Sequence, residues 1–208
     1  MKKLISGFQD SDIEVVSRED CHQGFLRVEK IQLRHRQHSG EWSQFMEREL
    51  LLKPKAVGIL LFDPLRDEVL MIRQFRAGLI EEDTDCWPLE IVAGMVGEGE
   101  ELEDVAVREA MEESNSKPTD LILIGDYYNS PGGSNEHISL YCGRVDTKDA
   151  EGVYGLVEEH EDIELVPLSY DELVAAVECG IVNNAMSIIA VQWLQLHKQD
   201  VLDRWLTR

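Results

Sequence analysis

Hydrophobic and polar positions alternate through residues 1 to about 50: Ile13-Glu14-Val15-Val16, then Phe25-Leu26-Arg27-Val28-Glu29-Lys30-Ile31, then Phe45-Met46-Glu47-Arg48-Glu49-Leu50. This period of two predicts three antiparallel strands, with Gly40 in the turn before the third. So few strands are marginal alone and need another surface, either the body of the chain or a second subunit. The body begins near Pro54. Val57 to Phe62 predicts a strand, Asp63-Pro64 a turn, and Val69 to Phe75 the returning strand of a hairpin. A polar loop, Glu81 to Asp85, precedes Trp87-Pro88-Leu89-Glu90-Ile91-Val92. Gly94, Gly97 and Gly99 make a tightly turning loop, and a helix follows from about Glu101 to Ser114. Asn115 is placed to end it, because Asn tolerates the left-handed conformation. Leu121 to Tyr127 and Ile138 to Val145 predict strands around a turn-rich loop, Asn129 to Asn135. Asp146 to Glu161 reads as a long acidic loop and Ile163 to Pro167 as a short strand. Ser169 with Glu172 forms a capping box for a helix ending at Gly180, and the last helix starts near Met186. Strands flank the 101–114 helix, and the other long helices are C-terminal. That order predicts an α/β sandwich without a repeated βαβ rhythm.

The 101–114 helix carries acid where apolar residues belong. At about 100° per residue, Glu109 falls about 40° from Val105, Leu102 about 60°, Glu113 about 80° and Ala106 about 100°. Glu109 and Glu113 are therefore interleaved with the apolar side. Like charges at i,i+4 repel, and partial burial adds a desolvation cost. A divalent cation reverses both penalties. Mg²⁺ or Mn²⁺ takes oxygen ligands, often one or two carboxylates plus substrate phosphates.

The 208 residues suffice for one large domain or one domain with a small appendage. The pattern divides the chain into an N-terminal β domain, 1–53, and a main domain, 54–208. A net charge of −21 repels phosphate backbones, so nucleic acid is not an expected partner. The longest basic-rich stretch, Arg34-His35-Arg36-Gln37-His38, is short. The same field repels a phosphate-bearing small molecule unless cations and local arginines neutralise the site. Cys21, Cys86, Cys142 and Cys179 form no C-x2-C pair and read as reduced thiols of a cytoplasmic protein. Met1-Lys2-Lys3-Leu4 leads into no apolar run, so no signal peptide is expected, and no run reaches membrane-span length.

The run Gly94-Met95-Val96-Gly97-Glu98-Gly99-Glu100, continued by Arg108-Glu109-Ala110-Met111-Glu112-Glu113, resembles the signature of the Nudix hydrolase family. The family pattern usually ends with Gly and an aliphatic residue, where Asn115 and Ser116 stand here; neither change removes a carboxylate. Trp42-Ser43, Arg48-Glu49, Asp63-Pro64, Glu90-Ile91-Val92-Ala93-Gly94, Ser130-Pro131-Gly132-Gly133, Glu136 and Asn183-Ala185 extend the likeness over nearly the whole chain. Together they resemble the bacterial ADP-ribose pyrophosphatase branch, with Pro131 in the place of that branch's proline marker.

The resemblance implies a Nudix-type α/β/α sandwich with a mixed sheet, plus the small N-terminal antiparallel β unit. It implies Mg²⁺-dependent hydrolysis of ADP-ribose to AMP and ribose 5-phosphate, with Mn²⁺ as the other candidate ion. Glu109 and Glu113 are the expected metal ligands, with Glu112 a third and a catalytic carboxylate, and the resemblance completes the metal shell with the Ala93 carbonyl and Glu161. The implied base is Glu159; His160 is the second candidate on its ordinary titration range. Gly94, Glu100, Arg108 and Pro131 are implied structural residues, Arg108 pairing with a box carboxylate such as Glu100. Phe25 is implied to stack on adenine, Arg48 and Arg76 to neutralise phosphate, and Glu136 to receive ribose hydroxyls. Each also has a plain alternative: core filling for Phe25, strand-edge charge for the arginines, a solvated loop for Glu136. A homodimer that exchanges its N-terminal strands is implied as well. The box sees only the diphosphate, so another nucleotide sugar such as GDP-mannose, or a non-catalytic nucleotide-sugar sensor, stays open.

Overall fold

The structure, a computed structural model, describes residues 4–207. The Met1-Lys2-Lys3 stretch behind the signal-peptide expectation lies outside the described residues. The chain divides into two compact units: the segment through Lys53 joined by Tyr128–Glu136, and Pro54–Tyr127 joined by the chain from His137 onward.

The first unit is built on the three alternating segments. β1 (Ile13–Gln23), β2 (Arg27–His35) and β3 (Met46–Leu52) form an antiparallel sheet in the order β1-β2-β3. Register shifts at Val15/Ser17 and Asp20/His22 bend β1, which is exposed along nearly its whole length. Ile31 and Glu29 of β2 are buried, and Arg18 Nη1 meets the Glu29 carboxylate at 2.5 Å. The 128–136 segment joins through long-range pairing that the local pattern does not reveal. The Leu51 N–H donates to Gly133 O at 2.8 Å, and the Lys53 N–H donates to Asn135 Oδ1 at 2.7 Å.

The second unit is a mixed sheet between helices. β4 (Ala56–Asp63) and β5 (Glu68–Arg73) pair antiparallel across Leu61↔Leu70, as the hairpin pattern predicts. β6 (Leu89–Glu90) borders β5, and β7 (Val92–Met95) borders β4. After α1 (Leu102–Ser114) come β8 (Leu121–Tyr128), β9 (His137–Arg144), β10 (Val153–Tyr154), β11 (Ile163–Ser169), α2 (Tyr170–Glu178) and α3 (Ala185–Leu206). The main strand order is β10-β11-β5-β4-β9-β8, with β4 and β9 parallel.

The central strand β4 is buried on both faces, and its alternation decides the layers. Val57, Ile59 and Leu61 pack with Val105, Ala106 and Ala110 of α1. Leu60 and Phe62 pack with Leu173 of α2 and with Val191, Leu194 and Trp205 of α3. The result is the helix–sheet–helix sandwich predicted from the sequence. Gly58 is required because a Cβ there would overlap Met186 Sδ and crowd Leu140. The capping box holds too, with Ser169 Oγ accepting from Glu172 N.

One expectation is corrected. The 146–161 segment is not a plain loop. Val153–Tyr154 pair with β11, and Val157–Glu159 make a 3₁₀ turn closed by His160 at φ 57°. A strand of two residues, set in an acidic stretch, is too short to show a period. No helix among the described residues is long and apolar enough to cross a membrane.

Candidate active site

Helix α1 begins with Glu103 and Asp104 in its first turn, favourable at the positive end of the helix dipole, and ends on Asn115 at φ 49°, ψ 28°. Its packed side is the one the phase predicts: Val105, Ala106 and Ala110 are buried, and so are Glu109 and Glu113. Only 3% of Glu113 is exposed. Burial pushes the Glu113 carboxyl up to about 8; the Ala93 N–H and Arg76 oppose the shift, while the charges of Glu109 and Glu161 reinforce it. Burial raises Glu109 as well, against Arg108.

The loop before the helix leaves room for this acid. A Cβ on Gly94 would overlap the Glu109 carboxylate. The Ala93 N–H donates to Glu113 Oε2 at 3.0 Å, so β7 holds the carboxylate that α1 carries. Glu100 accepts from the Gly97 N–H at 2.7 Å and from Arg108 Nε at 3.1 Å, and both interactions lower its proton affinity. Arg108 Nη1 also reaches Glu109 Oε1 at 2.8 Å and Glu112 Oε2 at 2.9 Å, while Nη2 donates to Met95 O at 3.2 Å. One guanidinium therefore ties the loop to three carboxylates of the box.

The 155–161 segment lies against the same helix. The Gly155 N–H donates to Glu112 O at 3.2 Å, and the Leu156 N–H donates to Glu161 Oε2 at 3.0 Å. Gly155 sits at φ 109°, and a side chain there would also collide with Glu161 Cβ. Glu159 and His160 are exposed. Arg76 Nε donates to Glu90 Oε2 at 2.7 Å, and both residues line a hollow of about 410 Å³ with Pro88 and Asn183.

The other four predicted residues belong to the first unit. Phe25 is 90% exposed at the β1–β2 turn, so it is not core filling. Arg48 lies in β3, exposed, with Nη1 on Glu47 O at 2.7 Å. Glu136 is bound by Lys53 and by Asn129 Nδ2, the latter at 2.8 Å, so it is not a freely solvated loop charge. Pro131 opens the turn in which the Gly133 N–H donates to Ser130 O at 3.1 Å.

Two contributors went unrecognised in the pattern. Glu90 stood in a strand-like run and in the Glu90–Gly94 likeness without a role of its own, and its contact with Arg76 exists because β6 pairs Ile72↔Glu90 beside β5. Gln74, whose Nε2 is 3.5 Å from Glu161 Oε1, gave no signal at all.

The donors fit a hard divalent cation. They are all oxygens, two are buried carboxylates with raised proton affinity, and bringing positive charge to them removes the cost of burial. Among the described residues, no three acidic, histidine or cysteine side chains already surround one point closely enough to hold an ion. Arg108 supplies the neutralising charge between Glu109 and Glu112 instead.

The NUDIX domain pattern matches residues 52–178. An ADP-ribose pyrophosphatase of Escherichia coli (strain K12) is 41% identical over 200 residues, covering 95% of each chain. An ADP-ribose pyrophosphatase of Haemophilus influenzae is 35% identical over 97% of this chain and 94% of its own. A solved structure described as an ADP compounds hydrolase superposes with a TM-score of 0.70 at 19% identity, over 91% of this chain and 96% of that one, which speaks for the fold. The chain belongs to the Nudix hydrolase family, in the branch of the bacterial ADP-ribose pyrophosphatases.

Proposed function

We propose that this protein hydrolyses the pyrophosphate bond of ADP-ribose, giving AMP and ribose 5-phosphate in a Mg²⁺-dependent reaction. The observation that carries the proposal is the buried Glu109–Glu113 pair, held by Arg108 and the Ala93 N–H in a member of this branch. Glu109 and Glu113, with Glu161 and the Ala93 carbonyl, are the groups proposed to hold Mg²⁺ or Mn²⁺, and Glu112 completes the acidic set. When bound, such ions take up phosphate oxygens, make water easier to deprotonate and offset the charge developing on the phosphates.

The chain's own residues do the rest. Water adds to a phosphorus as the bridging P–O bond breaks. The proton lost by that water goes to Glu159, with His160 as the other candidate, and the departing phosphate takes up a proton from solvent. Glu159 is suited to this by its exposure on a segment tethered to α1 through Gly155, since a base must reach an incoming water. Arg76 and Arg48 offset substrate charge, which a chain of net charge −21 otherwise repels. Phe25, exposed at the β1–β2 turn, offers a face on which adenine stacks, and Glu136 offers oxygens to ribose hydroxyls. Gly94, Glu100, Arg108 and Pro131 keep the loops in place.

We also propose a homodimer that exchanges its N-terminal strands. Support comes from β1, which leaves Ile13, Val15 and Val16 exposed in the single chain. Four free cysteines support a cytoplasmic location. A panel of nucleoside diphosphate sugars with Mg²⁺ tests the function. ADP-ribose is expected to be cleaved fastest. Faster cleavage of GDP-mannose moves the activity to another nucleotide sugar, and cleavage of none moves it to a sensor.

A further inference from the structure

Glu90 has no role in the reaction so far, yet its placement is specific. β6 is only two residues long, and it exists by pairing with the end of β5 at Ile72↔Glu90 and Arg73↔Leu89. That pairing puts Glu90, with 15% of its side chain exposed, against Arg76, whose side chain is 43% exposed. The Arg76 backbone is fixed as well, its N–H donating to Cys86 O at 2.8 Å. Glu90 takes the Nε–H of Arg76 at 2.7 Å, and among the described residues the two terminal nitrogens of Arg76 have no hydrogen-bond partner. Both residues line the hollow of about 410 Å³. Arg76 stands two residues after Gln74, whose Nε2 is 3.5 Å from Glu161 Oε1, and its charge reaches Glu113 and lowers that carboxyl's proton affinity.

We propose that Glu90 is a positioning residue: by holding Nε it fixes the Arg76 guanidinium with its two terminal NH₂ groups free to take a diphosphate oxygen pair at the acidic cluster. This rests on the reading of Arg76 as a phosphate-binding residue. Two physical effects compete. A long arginine side chain free in solution loses substantial rotamer freedom when it binds, and a carboxylate on Nε removes that loss in advance. The same carboxylate also brings a negative charge near an anionic ligand. Positioning wins here because Glu90 is mostly buried and its charge is already matched by Arg76, whereas the lost freedom of an untethered Arg76 has nothing to offset it.

The two effects separate experimentally in Glu90→Ala and Glu90→Gln. Gln keeps an acceptor for Nε and loses the charge; Ala loses both. The probe is ADP, titrated calorimetrically in Mg²⁺ buffer, with thermal melts to confirm folding. ADP is expected to bind Glu90→Ala about tenfold more weakly than wild type, equal to ~1.4 kcal/mol, and Glu90→Gln at least as tightly as wild type. Arg76→Ala should lose more, and adding Glu90→Ala to it should change nothing further. With ADP-ribose, Glu90→Ala should raise KM by more than it lowers kcat. Unchanged or tighter ADP binding in Glu90→Ala overturns the proposal, as does a wild type that does not bind ADP. Because binding is read with ADP, a wild type that binds ADP but fails to cleave ADP-ribose defeats the functional reading alone.

Discussion

The backbone N–H of Ala93 donates to Glu113 Oε2 at 3.0 Å, so a strand and a helix share one buried carboxylate. The strand supplies a donor, and the helix supplies an acid whose charged form is costly to bury. The fold therefore carries a penalty at this position that a bound cation is proposed to remove.

Glu113→Gln isolates that penalty. The Glu113 carboxyl is raised to about 8 in the fold, above its ordinary 4.5. Its contribution to stability is therefore fully present below about 4.5 and is lost as pH rises through about 8. Without divalent metal, Gln at this position should match the wild-type melting temperature near pH 5 and exceed it increasingly toward pH 8. With excess Mg²⁺ the order should reverse, because a bound ligand stabilises the wild type. Turnover should fall by about 10²-fold or more, since residues that merely support a ligand already cost 10–100-fold. Melts across pH with and without Mg²⁺, alongside turnover, check both parts; a variant with normal Mg²⁺-dependent turnover removes Glu113 from the metal site.

Much of this was legible from local pattern. Glu109 and Glu113 stood out because a 3.6-residue period placed them beside Val105 and Ala106, and burial follows that period. Asn115 and the Ser169–Glu172 box signalled helix ends by their own chemistry. The illegible parts depend on contacts distant in sequence. Arg76 meets Glu90 only because β6 folds back beside β5. Tyr128–Glu136 joins the N-terminal unit through Leu51 and Lys53, far earlier in the chain. β10 is hidden in an acidic stretch because two residues cannot express a period.

Asp63 carries a second buried charge, away from the box. It accepts from the Leu65 N–H at 2.8 Å, Arg66 Nη1 at 2.7 Å, and both the N–H and hydroxyl of Thr147 at 3.0 Å. Burial alone would raise its proton affinity, but these donors outweigh it and hold the carboxyl at about 2. Its stabilisation is present above the ordinary 3.8 and is lost as pH falls through about 2. Asp63→Asn should cost about 2 kcal/mol at pH 7 and should flatten the loss of stability between pH 4 and 2. Denaturant melts at pH 7, 4 and 2 measure this; an unchanged midpoint at pH 7 contradicts it.

Glu159 and His160 lie side by side on the 3₁₀ turn and its end. Glu159→Gln should lower turnover by about 10² to 10⁴, the range for losing general acid–base help. Its apparent Mg²⁺ affinity should change much less than that of Glu113→Gln. A fully active Glu159→Gln beside an inactive His160→Ala assigns the base to His160.

The proposed strand exchange predicts complementation. Co-expressed Glu113→Gln and Arg48→Ala subunits, each inactive alone, should regain part of the activity, because one site of the mixed dimer holds both intact residues. A fully active monomer in sedimentation defeats the exchange, and a mixed dimer no more active than its parents shows that each site is built from one chain.

The central claim is tested most directly by incubating the wild type with ADP-ribose and identifying the products, with Mg²⁺ and again with the metal chelated. AMP and ribose 5-phosphate in equal amounts, formed only with Mg²⁺ and lost in Glu113→Gln, is the predicted result. Intact ADP-ribose under both conditions, or cleavage that survives chelation, contradicts it.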